Sequence, residues 1–494
     1  MDSEGKQEED AILNPAKQQT RWSDRIASAT WFLVFLASFL IAAELISWMV
    51  AIATGMVLLC SYLLIRKTSA PFDVRRLTIS SFWYATYLAM IYFPAFFVFA
   101  DQEGSSRVRY LFAVESVLIT VPLGALCASR FLSFRPTETS AYFDGQLQSP
   151  QVPDSFGKKL AVLVGVALLL TVLYVRDVGT IPVFSLLKNS GDEPFLAQLR
   201  EDSFKLLNSP LEYLYFLARG TLYPLLIAVS FGCYLWARSR KWLVFFLGTL
   251  FAGILFASFS LAKKPVATIF LVMGLFTYFY RNRTITFRKT AAFFCLIFLF
   301  PVIVIMFVYA DSDFRAPEVT KFIADRLLYG PSEVVYMYFE VFPDHVPYLH
   351  GRSIGKLSWA LGMNYFDTAN YVGRYGWPEY IESINANGAF ISDLNADFGL
   401  PGVLLGGVVA GGIMQWIHIF LVRRKKTIVG LACYAFLVYE FWDLNSTSLT
   451  TLLASNGTLL ALALMWLMEK WIYGAIPAGQ KTPILGRVPQ LGLR

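Results

Sequence analysis

NGAFISDLNADFGLPG, residues Asn387–Gly402, marks the point where a long polar segment returns to a strongly apolar one. Two of its acids, Asp393 and Asp397, are four residues apart, so in a helix they lie side by side on one face. The apolar residues that follow are numerous enough to cross a bilayer, and we predict a transmembrane helix over 397–421. The polar residues before it, 311–396, form the one long polar stretch on their side of the membrane.

Apolar spans of similar length occur along the whole chain. Hydrophobic residues make up 56% of the 494 residues and charged residues only 16%, which is typical of a protein that lies in a lipid bilayer. We therefore predict an all-α polytopic membrane protein with about twelve transmembrane helices, at 27–44, 45–65, 78–100, 108–129, 159–175, 211–236, 242–261, 265–280, 290–310, 397–421, 427–442 and 452–473.

The distribution of basic residues predicts the orientation. Most of the 42 lysines and arginines lie in alternate connections and at the two termini. Because cytoplasmic connections are enriched in these residues, we expect both termini in the cytoplasm and 311–396 on the outer face of the membrane. The net charge of +7 follows from this topology, so we do not expect nucleic-acid binding.

The predicted organisation is one membrane domain with polar segments in its loops and at its ends. The 130–158 connection, which contains several proline, serine and glycine residues, is predicted to be a flexible cytoplasmic loop. In chain order, we predict a disordered cytoplasmic tail at 1–26, spans one to nine with an external loop at 176–210 over 27–310, a large and partly helical periplasmic loop at 311–396, spans ten to twelve over 397–473, and a cytoplasmic tail at 474–494.

Arg219 is the strongest single indication of a functional site. It follows Leu211 by eight residues, so it lies about 12 Å along a predicted span. An arginine at that depth is unfavourable by at least a few kcal/mol and usually marks a functional cavity, although it can also be an interfacial anchor. Lys263 and Lys264 lie at the outer mouth of the seventh and eighth spans, where they suit an anionic headgroup or simply flank a helix end.

The 311–396 loop contains residue types that bind phosphates and sugars. Guanidinium groups bind phosphate through paired, charge-assisted hydrogen bonds, and tyrosines and tryptophans stack on sugar rings. Asp393 can act as a general base toward a sugar hydroxyl. These residues also have ordinary structural explanations. The arginines can be solvated loop charges, the aspartates can be helix-terminal carboxylates, and the aromatic residues can form a belt at the membrane interface. The candidate substrate contacts of the loop are Arg315, Arg326, Arg352, Arg374, His350, Tyr329, Asn387 and Asp397.

We expect no metal and no cofactor. The Asp311-Ser312-Asp313 pattern can bind a divalent cation, but two acids in so polar a loop are commonplace. The five cysteines all fall within predicted spans, where they are small core residues.

Three stretches of the second half resemble the O-antigen polymerase family, the Wzy-type oligosaccharide repeat-unit polymerases. Ser258–Tyr280 resembles the family's entry into a span through small residues and cations. Asp325–Gly351 resembles its external loop, and Asn387–Gly407 resembles its polar approach to a glycine-rich span. The related O-antigen ligases usually place a histidine before the asparagine of the third stretch, where this chain has Ala386, so the resemblance favours a polymerase.

The resemblance implies a membrane glycosyltransferase. A glycan on undecaprenyl pyrophosphate is transferred to a new lipid-linked repeat unit, and undecaprenyl pyrophosphate leaves. We expect Arg219, Arg326 and Asp393 to be catalytic, and Lys263, Lys264 and Arg352 to help stabilise the leaving pyrophosphate. The implied partners are lipid-linked oligosaccharides, membrane lipid and a co-polymerase that sets chain length.

Two other functions fit part of the sequence. An O-antigen ligase or another lipid-linked-sugar glycosyltransferase would use similar chemistry on a different acceptor. A twelve-span transporter or lipid-linked oligosaccharide flippase would not need the large external loop. The connection after the sixth span, about 237–241, is also shorter than the central loop of major-facilitator transporters.

Overall fold

In the computed structural model the described chain is helical, and none of its described residues lies in a strand. The described residues are 15–68, 77–147, 154–178, 181, 183–184, 210–259, 263–281, 325, 329–355, 358, 361–378 and 385–473, without the side chains of 15–27, 154, 210, 263 and 472–473. The α-helices are α1 (Pro15–Leu45), α2 (Trp48–Thr68), α3 (Ile79–Tyr87), α4 (Phe93–Asp101), α5 (Ser106–Phe131), α6 (Pro136–Asp144), α7 (Asp154–Val178), α8 (Pro210–Leu217), α9 (Tyr223–Ala237), α10 (Arg240–Ser258), α11 (Lys263–Tyr280), α12 (Gly330–Val341), α13 (Thr368–Gly376), α14 (Phe390–Val422), α15 (Ile428–Trp442) and α16 (Thr458–Tyr473).

Ten helical segments of the described chain are long and apolar enough to cross a membrane. This confirms a multi-pass helical protein. The predicted eighth span corresponds to the shorter apolar helix Lys264–Tyr280, and the predicted ninth span, 290–310, lies outside the described residues. The predicted tail at 474–494 and most of the predicted 176–210 loop also lie outside them, whereas α1 begins at Pro15, within the predicted tail at 1–26.

The described chain contains short π-helical segments at Leu88–Tyr92, Ala218–Leu222 and Thr451–Ser455, and the first two join consecutive α-helices. The first two end just before Phe93-Pro94 and Tyr223-Pro224. In each case the residue before the proline donates its N–H five residues back, to the carbonyl of Leu88 or Ala218. A proline lacks a donor and crowds the carbonyl one turn before it, and the wider turn relieves that crowding.

The chain forms two compact units. Unit 1 comprises Met1–Phe143, Asn282–Arg423 and Leu437–Leu453, and unit 2 comprises Asp144–Arg281, Arg424–Phe436 and Ala454–Arg494. Asp393, Asp397 and the described candidates of the 311–396 loop belong to unit 1. Arg219, Lys263 and Lys264 belong to unit 2.

Within unit 1, glycines bring α5 and α14 into backbone contact. A Cβ atom at Gly124 would lie 1.9 Å from the carbonyl oxygen of Val408, and one at Gly411 would lie 2.0 Å from that of Val121. A Cβ at Gly407 would lie 2.1 Å from Oγ1 of Thr120. In a bilayer, where burial from water does not drive association, such close van der Waals packing through small residues holds helices together.

Helix α14 begins at Phe390, earlier than the predicted start at 397. The polar residues before 397 continue the same helix, so Asp393 and Asp397 both lie on it. Gly399 interrupts the helix with φ 64° and ψ −157°, a conformation that favours glycine. A Cβ there would also lie 2.8 Å from Cζ of Tyr348.

Helix α12 packs against the transmembrane helices of unit 1. The buried Ser332 donates its hydroxyl to the carbonyl of Ile91, 2.8 Å away, and Tyr110 donates to the carbonyl of Ser332 at 3.1 Å. At the other end, Nη2 of Arg109 contacts the carboxylate of Asp344 at 2.6 Å. Helix α12 lies within the segment predicted to be partly helical, and these contacts fix this part of the predicted loop on the membrane-spanning body.

The 130–158 connection contains a helix, α6, that the prediction of a flexible loop missed. Pro136 stands at its start and Glu138 in its first turn, both favourable at a helix N-terminus. Tyr142 and Phe143 are buried, and Glu138 accepts a 2.8 Å hydrogen bond from Nε of Arg423. Arg423 lowers the pKa of Glu138 below its usual range through this bond.

Candidate functional site

A short segment of unit 1, residues 364–368, connects two of the predicted site residues. At one end, Oγ1 of Thr368 donates a 3.0 Å hydrogen bond to Oδ1 of Asp393 in the first turn of α14. Next to it, Asp367 caps the start of α13 by accepting the N–H of Asn370 at 3.1 Å. The cap fixes the direction in which α13 begins, and thereby the position of Thr368 beside Asp393.

Arg352 is bound to the other end of this segment. Its Nε donates to the carbonyl of Asn364 at 3.2 Å, and its own carbonyl accepts the N–H of Phe366 at 2.9 Å. Its guanidinium group lies over the ring of Phe366, with 5.9 Å from Cζ to the ring centroid. The side chain is exposed, so it is ordered by these contacts while most of its donors still face solvent.

Tyr365 belongs to the same site. Burial, followed by the nearby carboxylates of Asp367 and Asp393, raises the pKa of its phenol. The residue as a whole is nevertheless 57% exposed. An exposed aromatic ring next to two carboxylates can stack on a sugar ring while the carboxylates accept hydrogen bonds from its hydroxyl groups. We call Arg352, Tyr365, Phe366, Thr368 and Asp393 the loop site.

Asp397, one turn after Asp393, has a structural role. It is buried, and its carboxylate accepts the backbone N–H groups of Gly351 at 2.9 Å and Ser353 at 3.2 Å, and the hydroxyl of Ser353. Its backbone carbonyl accepts the N–H of His350. These bonds anchor the turn that carries Arg352, so they give Asp397 a positioning role; its predicted substrate contact remains a prediction.

The predicted aromatic residues of the loop fall into two groups. Tyr336 and Tyr338 are buried, and the hydroxyl of Tyr338 donates to the carbonyl of Ala386 at 2.9 Å. Tyr371 and Tyr375, on α13, are 40% and 37% exposed and stand about one turn apart. The first group forms part of the core of this region, whereas the second group and Tyr365 have exposed rings that a ligand can contact.

Tyr375 also belongs to a small polar cluster. Its hydroxyl lies 3.1 Å from Nε2 of His345, and the two rings are 5.1 Å apart. Burial, followed by the carboxylate of Glu340, raises the pKa of this phenol. His345 is therefore bound to a neighbour and is not simply solvated.

The other predicted substrate contacts of the 311–396 loop lie outside the loop site. The side chains of His350, Arg374 and Asn387 are exposed, and His350 has a positive φ of 54°. Tyr329 donates its hydroxyl to Asp101 at 3.0 Å, at the start of α12. Arg315 and Arg326, as well as Asp311 and Asp313, lie outside the described residues.

In unit 2, Arg219 lies in the π-helical segment Ala218–Leu222. Its side chain is half-buried, and its guanidinium carbon lies 5.2 Å from the ring centroid of Phe216. Irregular turns of this kind within spans often occur at functional sites. Lys263 begins α11, and Lys264, which follows it, has an exposed side chain.

Sequence reasoning missed Glu115. This acid lies within the candidate span Ser106–Phe131, is only 8% exposed, and accepts a hydrogen bond from the hydroxyl of Thr54. The signal was present in the sequence, because an ionisable residue inside an apolar span indicates function as much as Arg219 does.

Among the described residues, no group of three histidine, cysteine, aspartate or glutamate side chains is arranged to hold a metal ion. No family model, no curated protein and no solved structure matches the chain.

Proposed function

We propose that the protein is a glycosyltransferase of the bacterial inner membrane that polymerises undecaprenyl-pyrophosphate-linked oligosaccharide repeat units into O-antigen, capsule or exopolysaccharide. One observation carries the proposal: residues 364–368 tie a half-buried carboxylate, Asp393, to an ordered and exposed guanidinium, Arg352, beside an exposed tyrosine. This combination offers a base, an anion-binding cation and a sugar-stacking surface in one loop of a multi-pass helical protein.

In the proposed reaction, Asp393 accepts the proton of the attacking sugar hydroxyl. The oxygen forms the new glycosidic bond at the anomeric carbon of the growing glycan, and the bond from that carbon to the pyrophosphate oxygen breaks. The electron pair leaves with undecaprenyl pyrophosphate, whose negative charge cations stabilise. Arg352 is our candidate in the loop, and the roles of Arg219, Arg326, Lys263 and Lys264 remain predictions from the sequence.

The experiment is a reconstituted assay of purified protein with a lipid-pyrophosphate-linked repeat unit, with products separated on a gel. We expect a ladder of multiple repeats from the wild type. Loss of general base catalysis in Asp393→Asn should lower the rate about 100- to 10,000-fold. Glu103→Gln, at an exposed acid between α4 and α5, is the matched control and should leave the ladder unchanged.

Three outcomes would contradict all or part of the proposal. A single-repeat band from active wild-type protein would exclude polymerisation as the function. A ladder that persists in Asp393→Asn would remove this residue as the base. Transfer of the glycan to an added lipid acceptor, without polymerisation, would indicate a ligase.

A second candidate, transport of a lipid-linked oligosaccharide, is favoured by Glu115. Buried acids within spans occur in pumps and transporters, where they relay protons. Liposomes that contain a fluorescent lipid-linked oligosaccharide distinguish the two functions. Movement across the bilayer without a change in glycan length would support transport, and elongation would support the polymerase.

A further inference from the structure

Glu115 lies well inside a membrane-spanning helix. It follows Ser106, the first residue of α5, by nine residues, which corresponds to about 14 Å along the helix. Only 8% of the residue is exposed, and Thr54 on α2, which donates its hydroxyl to the Glu115 carboxyl, is fully buried. Polymerisation at the loop site does not use this acid.

The described groups that face Glu115 carry no compensating positive charge. Thr54 comes from α2, and the tyrosines of α3 and the following π-helical segment, Tyr87 and Tyr92, lie close enough to interact with the carboxyl electrostatically. Phenols are neutral at ordinary pH. Within the described chain, no lysine, arginine or histidine forms an ion pair with Glu115.

The surroundings of Glu115 also contain buried tyrosine hydroxyl groups. Tyr92 is fully buried, and its hydroxyl forms no hydrogen bond of standard geometry with any described residue. The hydroxyl of Tyr87, in contrast, donates to the carbonyl of Val114 at 3.0 Å. The Tyr92 phenol interacts with Ser38 as well as with the acid, and its hydroxyl is a donor that can turn toward the carboxylate when the acid loses its proton.

A carboxylate in an apolar interior with one hydroxyl donor and no cation is strongly unfavourable, and proton binding is the simplest way to neutralise it. We propose that Glu115 is a reversible proton-binding site within the membrane-spanning part of unit 1, and that Thr54 sets its proton affinity. The site takes one proton from water and returns it, and no other bond changes. This inference is independent of the proposed glycan chemistry.

Infrared difference spectroscopy of the purified protein in liposomes tests the proposal directly. Spectra recorded from pH 4 to pH 10 should contain a carbonyl band of a protonated carboxylic acid that disappears as the pH rises. The band should be missing from Glu115→Gln, which preserves the shape of the side chain. Size-exclusion chromatography of this variant should give the same single peak as the wild type. The absence of a titrating band assigned to Glu115 would overturn the proposal.

The role of Thr54 is tested by the midpoint of that titration. Its hydroxyl stabilises the charged form of the acid, so Thr54→Val should move the midpoint about one pH unit upward. The matched control is Thr171→Val in α7 of unit 2, because Thr171 is also a buried threonine within a span and is bonded to Tyr223 at 2.9 Å. The control should leave the midpoint unchanged. A midpoint that does not move in Thr54→Val would overturn the tuning role.

Discussion

The two halves of α14 are held in place by different kinds of contact. Before Gly399, polar contacts hold the helix: Asn395 donates to the carbonyl of Tyr338 at 3.4 Å, and Asp397 binds the turn at 351–353. After Gly399, glycines such as Gly411 let the helix touch the backbone of α5, and Gln415 adds a hydrogen bond to Ser129 at 3.0 Å. The first half therefore contributes Asp393 to the loop site, whereas the second half has no space for a larger side chain at Gly411.

The largest effect on stability is expected in the second half. The added methyl group of Gly411→Ala would overlap the carbonyl of Val121 and force α5 and α14 apart, which should destabilise the protein by about 2 kcal/mol or more. Gly412→Ala is the matched control, because its nearest contact would be an ordinary 3.8 Å to the carbonyl of Gly124. Apparent melting temperatures in detergent measure both, and equal values for the two variants would disprove the backbone contact.

The next largest effect is expected in the first half. In Asp397→Asn, an amide NH₂ replaces one of the oxygens that accept from Gly351 and Ser353, and the lost bonds should destabilise the protein by about 1–3 kcal/mol. In Asp393→Asn the amide oxygen can still accept the hydroxyl of Thr368, so this variant should unfold close to the wild type. The same melting experiment compares the two variants. A larger loss of stability in Asp393→Asn would reverse the roles that we assign to the two carboxylates.

A smaller effect is expected for Arg352, which the first half of α14 positions through Asp397. Lysine in Arg352→Lys keeps the charge but loses the planar group that lies over Phe366 and donates to Asn364. We expect about a tenfold lower rate of chain elongation, equivalent to about 1.4 kcal/mol. The control is Arg130→Lys, at the exposed end of α5. An unchanged elongation rate in Arg352→Lys would show that the planar group is not needed.

The smallest effect on stability is expected at the C-terminal end of α14. The ion pair between Glu138 and Arg423 is partly exposed, so Glu138→Gln should destabilise the protein by about 0.5 kcal/mol. Because Arg423 lowers the folded-state pKa of Glu138, this contribution is present above the ordinary glutamate pKa of 4.5 and is lost as the pH falls through the folded-state value. Melting curves of wild type and variant should therefore converge in acid. A difference in stability between wild type and variant that grows as the pH falls would contradict the predicted direction.

Hydropathy and charge were sufficient to predict the helical, multi-pass character of the protein and the positions of most spans. Both signals are local, since about 20 consecutive apolar residues are enough to define a span. Hydropathy did not locate the start of α14, because its first residues are polar and polarity alone does not end a helix. The helix within 130–158 was missed because its buried face, Tyr142 and Phe143, is too short to give a clear periodicity.

The sequence by itself determined that Asp393 and Asp397 lie on neighbouring turns and that Arg219 lies within a span. Only the tertiary structure decided which carboxylate is committed to the fold, because the donors to Asp397 come from Gly351 and Ser353, more than 40 positions away. The partner of Glu115, Thr54, is likewise distant in the chain. Helical periodicity fixes which residues share a face, but the group that a polar side chain meets depends on how distant segments pack.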